Sequence, residues 1–223
     1  HRRRHSFPTR RSSDLARQKK FFEDIVTSRE LPNLLMQGVR GTGKSTTSLA
    51  LINDLKVDPA DVLKVNCSKD KIDTLRDKVT NFAMTFPVGD FKVVRLEEFD
   101  HMSLDGQALL RSLIEDVSGT CRFIVTCNYI NKVMPELRSR LQEVAFKKPD
   151  KDEVTLRMAE MLDKEGIEFD PENLVDYIDV GYPDIRKTIQ LLQQNSSGGK
   201  LLASSGAAAQ EADWKFRDRK STV

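Results

Sequence analysis

The stretch "GVRGTGKST" (residues 38–46) has the residue types needed to hold a phosphate chain. It fits G-x-x-x-x-G-K-[ST] through Gly38, Gly43, Lys44 and Ser45. Glycines allow a tight wrap that aims successive backbone N–H groups at phosphate oxygens, at a helix N-terminus that already favours anions. Lys44 is placed to reach the β- and γ-phosphates of ATP, and the Ser45 hydroxyl to ligate Mg²⁺. Gly38, Gly41, Thr42, Gly43, Lys44, Ser45 and Thr46 are accordingly read as the nucleotide-binding set. Hydrolysis needs a second part, a buried strand whose end carries one carboxylate for the metal and one to activate water. The candidate is "KVVRLEEFD" (92–100), with Glu97 on the metal side, Glu98 on the water side and Asp100 just beyond. Glu97 is one methylene longer than the Asp usually found there. Arg95 lies in a strand expected to be buried on both faces, where an unpaired charge is expensive. ATP binding with reduced turnover therefore stands open beside full hydrolysis.

The elements that must position these residues follow from hydrophobic patterning. Short apolar runs at "NLLMQ" (33–37), "DVLKVN" (61–66), "KVVRL" (92–96), "RFIVTC" (122–127) and "EVAF" (143–146) alternate with stretches long enough for helices. That alternation predicts an α/β fold, a five-stranded parallel sheet with helices on both faces. The phosphate loop follows the first run and opens the helical stretch "STTSLALINDL", the strand–loop–helix setting its chemistry requires. Ahead of the sheet, "RQKKFFEDIVTSRE" reads as an amphipathic helix with Phe21, Phe22, Ile25 and Val26 on one side. After Lys148 the strand signals stop. Asp150 and Glu153 have capping-box spacing, Gly166 is a stop, and Asp170-Pro171 is an N-cap followed by proline at the first helical position. A third helix runs through "DIRKTIQLLQQ" until "NSSGG" (195–199) breaks it, and the Ala- and Ser-rich tail from Lys200 carries no definite structural signal. The organisation expected is a leader (1–15), a nucleotide-binding core (16–148), a small helical lid (149–199) and a tail (200–223).

Composition narrows the function classes. The chain is 31% charged and 39% hydrophobic, which is ordinary for a globular protein, and no apolar run approaches the roughly 18–20 residues that span a bilayer. No membrane partner is expected. Cys67, Cys121 and Cys127 include no C-x-x-C pair, so buried free thiols are expected rather than disulfides or a zinc site. The formal net charge is +2, but residues 1–15 hold five Arg against one Asp, so the rest of the chain is net acidic.

With both motifs placed, later segments become recognisable. The chain resembles the AAA+ ATPases, and among them the large ATPase subunit of T-even-type bacteriophage sliding-clamp loaders. The likeness runs from about Phe21 to Leu201 and includes "CSKDKIDTLRDKVTNFA" (67–83), "EEFDHMSLDGQALLRSLIED" (97–116), "IVTCN" (124–128), "LRSRL" (137–141) and "GYPDIRKTI" (181–189). The resemblance implies that Asn128 is the first sensor, a neutral amide that positions the attacking water or reads the γ-phosphate. It makes Arg140 an arginine finger reaching the ATP of a neighbouring subunit, although Ser139-Arg140-Leu141 replaces the usual Ser-Arg-Cys. It makes Arg186 the second sensor, closing the lid on ATP bound to the same chain. The activity implied is ATP hydrolysis that opens a sliding clamp and sets it on primer–template DNA. The partners implied are other clamp-loader subunits, the clamp and the DNA. Lys69, Lys71, Arg76 and Arg111 are candidate contacts to the DNA backbone. A phage-encoded protein working in the cytoplasm of a bacterial host is implied as well. A nucleotide-binding scaffold, another AAA+ remodeller such as a helicase loader or branch-migration motor, and an inactive fragment are the competing readings.

"HSFPTRRSSDL" (5–15) has no counterpart in this family and resembles the in-frame translation of a short sequencing adapter. "DRKST" (218–222) resembles the start of such an adapter read outward. Both ends are therefore expected to be non-native. The family's adenine-holding N-terminal segment and its C-terminal helical collar are expected to be missing. No DNA-binding role is argued from the leader's arginines.

Overall fold

The structure, a computed structural model, describes residues 10–69 and 72–203, the side chains of 10–15 and 72–76 excepted. By its contacts the chain forms two compact units. One runs to Gly38 and resumes at Gly43–Phe146; the other takes Val39–Thr42 and the chain from Lys147 onward.

The first unit is the expected α/β layer structure. Its strands are β1 (Leu34–Gly38), β2 (Val62–Asn66), β3 (Lys92–Glu97), β4 (Cys121–Cys127) and β5 (Gln142–Phe146), each within a residue of its predicted run. All pairings are parallel, in the order β2-β3-β4-β1-β5. Because successive side chains alternate faces, the central strands feed two separate cores. Leu35, Val94, Leu96, Phe123 and Val125 pack against α3 (Ile72–Met84), α4 (Leu104–Asp116) and α5 (Pro135–Arg138). Leu34, Met36, Val93 and Ile124 pack on the other side against α1 (Arg10–Ser28) and α2 (Lys44–Asp54). Helix α1 starts within the expected leader, whose residues 1–9 lie outside the described residues.

The strand order reverses between β1 and β4. In open α/β sheets this switch point opens a crevice beyond the carboxyl ends of the strands, where ligands bind. Residues following β1 and β4 are therefore brought side by side by topology alone, with the end of β3 on the far side of β4.

The second unit contains α6 (Lys151–Lys164), α7 (Pro171–Gly181) and α8 (Ile185–Gln194). The caps read from sequence are made. Asp150 accepts hydrogen bonds from Asp152 and Glu153 N–H, and Asp170 accepts one from Glu172 N–H with Pro171 next to it. Gly166 takes φ 67° at the end of α6. Val154, Met158, Leu174, Tyr177, Ile178 and Leu192 form its core. The start of the tail, which the sequence leaves open, is structured. Lys200–Leu201 (β7) pairs antiparallel with Ser196–Ser197 (β6), through Gly198 and Gly199 at φ 59° and 78°. Two adjacent left-handed glycines make the tight hairpin turn that matches strand twist, so the Gly pair folds the chain back as well as ending α8. Leu201 is thereby buried in this core and the Tyr177 hydroxyl donates to the Leu202 carbonyl. Residues 204–223, where the rest of the expected tail and its adapter-like end fall, lie outside the described residues.

Candidate nucleotide site

The phosphate loop departs from β1 at Gly38, where the carbonyl of Phe146 on β5 lies so close that any Cβ would collide with it. At the far end Gly43 caps α2 in the left-handed region, φ 92° and ψ 5°, and open space faces the place its Cβ would occupy. A side chain there would meet strain without collision; the glycine leaves room in front of the first turn of α2. Thr42 Oγ1 donates to the Val39 carbonyl within the loop. Ser45 is half-buried and Thr46 is exposed in that first turn.

Lys44 is buried, and its ammonium donates to the Gly38 carbonyl at 2.7 Å and to Asn128 Oδ1 at 3.1 Å. The lysine of the loop and the amide ending β4, assigned to one site from separate motifs, are thus in direct contact. Asn128 is held in turn from behind. Its backbone N–H donates to Asp100 Oδ1 at 3.0 Å, and the Asp100 carboxylate is itself buried. Asp100 was legible only as a residue beyond the acidic pair; its bond to Asn128 spans two strands and has no local signal.

Glu98 stands at the turn after β3 with φ 53° and ψ 43°. A non-glycine residue in this region costs roughly 1–2 kcal/mol. The side chain has no hydrogen-bond or ion-pair partner among the described residues, which leaves it available to a water. Glu97 is in a different condition. Its Oε1 accepts from Arg95 Nη2 at 2.8 Å and its Oε2 faces Lys64 Nζ at 3.1 Å. Arg95 therefore escapes the penalty of an unpaired buried charge, because positions 95 and 97 share one face of β3. Lys64 joins them because it pairs in register with Arg95. Burial pushes the Arg95 pKa down from its ordinary value, and the charge of Glu97 opposes that shift.

Arg140 follows α5 and is folded onto its own chain, with Nε donating to Glu115 Oε1 at 2.6 Å and Nη1 to the Glu136 carbonyl at 2.7 Å. Arg186 is exposed in the first turn of α8, in the second unit. Among the DNA-contact candidates, Lys69 is exposed after β2 and Arg111 is half-buried on α4; the side chains of Lys71 and Arg76 lie outside the described residues. Cys67, Cys121 and Cys127 are buried free thiols, as read, and burial raises the latter two to about 11. No helix among the described residues is long and apolar enough to cross a membrane.

This arrangement fits a nucleotide's phosphates: an open glycine cap at a helix N-terminus, a buried lysine behind it, and a free carboxylate and an amide at neighbouring strand ends. The metal half fits less well, since the carboxylate expected there is already bound by two cations.

Comparison with known proteins agrees with this geometry. Residues 34–149, more than half of the chain, match the ATPase family associated with various cellular activities (AAA). The replication factor C small subunit of Sulfurisphaera tokodaii is 38% identical over 200 residues, covering 86% of this chain and 61% of that protein. Its counterpart from Archaeoglobus fulgidus is 35% identical over 182 residues, covering 79% and 57%. The chain thus spans about three-fifths of the length of these curated relatives. The RuvB Holliday junction branch migration motor of Thermotoga maritima shares the fold, with a TM-score of 0.65 at 15% identity, over 82% of this chain and 62% of that one. A matching family profile over the sheet and its phosphate loop, in a fold with that strand order, has one reading: the chain belongs to the AAA family of ATPases.

Proposed function

We propose that this chain is an ATP-hydrolysing subunit of a sliding-clamp loader, which works with other loader subunits, the clamp and primer–template DNA. The observation that carries the reading is Lys44 bridging the Gly38 carbonyl and Asn128 Oδ1, which joins the phosphate loop and the sensor position into one site. Kinship at 35–38% identity to replication factor C small subunits supports the clamp-loader branch over other AAA remodellers. The likeness to the bacteriophage branch, and with it a bacterial host's cytoplasm, belongs to the same proposal, while the relatives named above are archaeal.

ATP, when bound, supplies the phosphoanhydride whose cleavage drives the cycle. The backbone N–H groups of Gly41 to Thr46 and the Lys44 ammonium bind its phosphates, and the Ser45 hydroxyl is the group that would meet any Mg²⁺ arriving with them. Glu98 takes a proton from the attacking water, and Asn128 orients that water. Arg140 leaves Glu115 to serve a neighbouring subunit's site, and Arg186 takes the role of second sensor. The test is steady-state phosphate release by the chain with its small partner subunit, with ATP alone and with primer–template DNA plus clamp. Strong stimulation that Arg140→Ala abolishes is the expected result. A flat response despite measurable ATP binding overturns the motor.

A second reading, an ATP-binding scaffold with weak turnover, draws on one specific observation: both Glu97 oxygens are engaged by Arg95 and Lys64. Glu97→Asp, which shortens the reach to both cations, raises phosphate release if this reading is right.

A further inference from the structure

The cations around Glu97 have a consequence for the ligand this site accepts. Arg95 touches both residues that a metal would use. One Nη2 donates to Glu97 Oε1 at 2.8 Å and to the backbone carbonyl of Ser45 at 3.2 Å, which ties the end of β3 to the first turn of α2. The guanidinium is held, not draped: its side chain is 7% exposed. Its Nε is buried with no hydrogen-bond partner among the described residues, so a donor remains unused beside the phosphate loop. Lys64 covers the second Glu97 oxygen.

We propose that Arg95 is a resident cation standing in for the divalent metal, so that this site takes metal-poor nucleoside di- and triphosphates with little help from Mg²⁺. The inference rests on the nucleotide-binding reading above and concerns the same pocket. Glu97 is neutralised before any metal arrives, so a metal gains little from it. The metal must also enter beside a guanidinium it repels. At separations of roughly 5–7 Å and an effective dielectric near 20, repulsion between a unit and a divalent charge is large enough that a tenfold loss of metal affinity is a low threshold. A hydrophobic residue at position 95 frees Glu97 from its principal partner and removes the repulsion together.

The test reads metal binding, not turnover. Mn²⁺ affinity of the ADP-loaded chain is measured by loss of the free-ion electron paramagnetic resonance signal, and ADP affinity by calorimetry with EDTA and with saturating Mg²⁺. In the parent chain ADP affinity changes less than about threefold between the two conditions. Arg95→Val tightens Mn²⁺ binding tenfold or more, and Arg95→Met, which keeps the stem's volume, does the same. Glu97→Gln changes Mn²⁺ affinity less than about twofold in the parent but removes the gain in the Arg95→Val background. Circular dichroism melting of each variant checks folding. Unchanged Mn²⁺ affinity in both folded Arg95 variants overturns the inference, as does a tenfold loss on Glu97→Gln alone. Absence of ADP binding in the parent under every condition overturns the nucleotide-site reading and this one with it, whereas normal binding with ordinary metal dependence overturns this one only.

Discussion

Replacing Asp100 by Ala and, separately, by Asn isolates what holds Asn128 in place. Asp100 Oδ1 accepts the Asn128 backbone N–H at 3.0 Å, while Oδ2 is buried without a hydrogen-bond partner among the described residues; His101 Nε2 is 4.0 Å from it. Asp100→Ala strips the acceptor from a donor aimed into the protein, which costs about 1–3 kcal/mol, and leaves a small void. Relief of the stranded Oδ2 offsets part of this, so the net loss is about 2 kcal/mol. With a urea slope near 2 kcal/mol/M for a domain of this size, the unfolding midpoint falls by about 1 M. Asp100→Asn keeps the acceptor in place and puts a neutral amide where the orphaned oxygen was. Its midpoint therefore stays within about 0.5 M of the parent, the equivalent of about 1 kcal/mol. The assay is urea unfolding followed by far-ultraviolet circular dichroism, paired with calorimetric ADP affinity. Asp100→Ala also weakens ADP, because Asn128 loses the anchor that aims it at Lys44. Equal midpoint shifts for the two variants would refute the argument, because charge rather than hydrogen-bond acceptance would then be the supporting property.

Three further outcomes follow from the same geometry. Glu115→Gln loosens the Arg140 tether; the pair is partly exposed, so melting changes by less than about 1 kcal/mol, while DNA- and clamp-stimulated phosphate release rises in the assembled complex. Asp170→Ala removes the cap that accepts Glu172 N–H and lowers the stability of the second unit by about 1 kcal/mol, read from amide exchange in α7. Cys121 and Cys127 are raised to about 11 by burial, so the folded chain holds those protons after the unfolded chain has released them. Their contribution is complete below about pH 9 and is lost as pH climbs through 11, roughly 3 kcal/mol per thiol. Cys127→Ala flattens that decline in urea midpoints, and neither thiol reacts with a thiol reagent at pH 8 without prior unfolding.

Much of the frame was legible because its determinants are local. Each strand of the sheet is a short apolar run, buried on both faces in the central β3 and β4 and only in part at the edges β2 and β5, and the run itself marks the strand to within a residue. The caps at Asp150 and Asp170 and the stop at Gly166 were equally plain, being side-chain types at fixed offsets. Reading failed where one residue type has two uses. Gly198-Gly199 breaks a helix and also turns a hairpin, and only the burial of Leu201 shows which use dominates. In the candidate site, the loop and the acidic pair carry motif spacing and can be read from sequence. The Asp100–Asn128 bond, the Arg140–Glu115 pair and the contact of Lys64 with Glu97 depend on strand register or on separations of more than twenty residues, and no window of sequence contains them.

Arg95 shows how a local misfit can inform. A strand with neighbours Val93, Val94 and Leu96 all buried has no reason of its own to include arginine, and replacing a buried ion pair by apolar residues is often neutral or stabilising. Local rules that fail inside an otherwise consistent fold concentrate at functional positions. Here the misfit and its remedy are two residues apart: Glu97, the longer carboxylate, reaches back along its own strand face to the guanidinium, which an Asp at that position would do less readily. The two departures from the usual acidic strand are therefore one change, and they should be exchanged together. Arg95→Val with Glu97→Asp restores the apolar strand and the short carboxylate at once. That double variant is expected to keep or raise thermal stability and to bind Mn²⁺ more tightly than either single variant. A double variant no different from Glu97→Asp alone would mean that the two positions act independently, and the pairing would then be a packing detail without bearing on the metal.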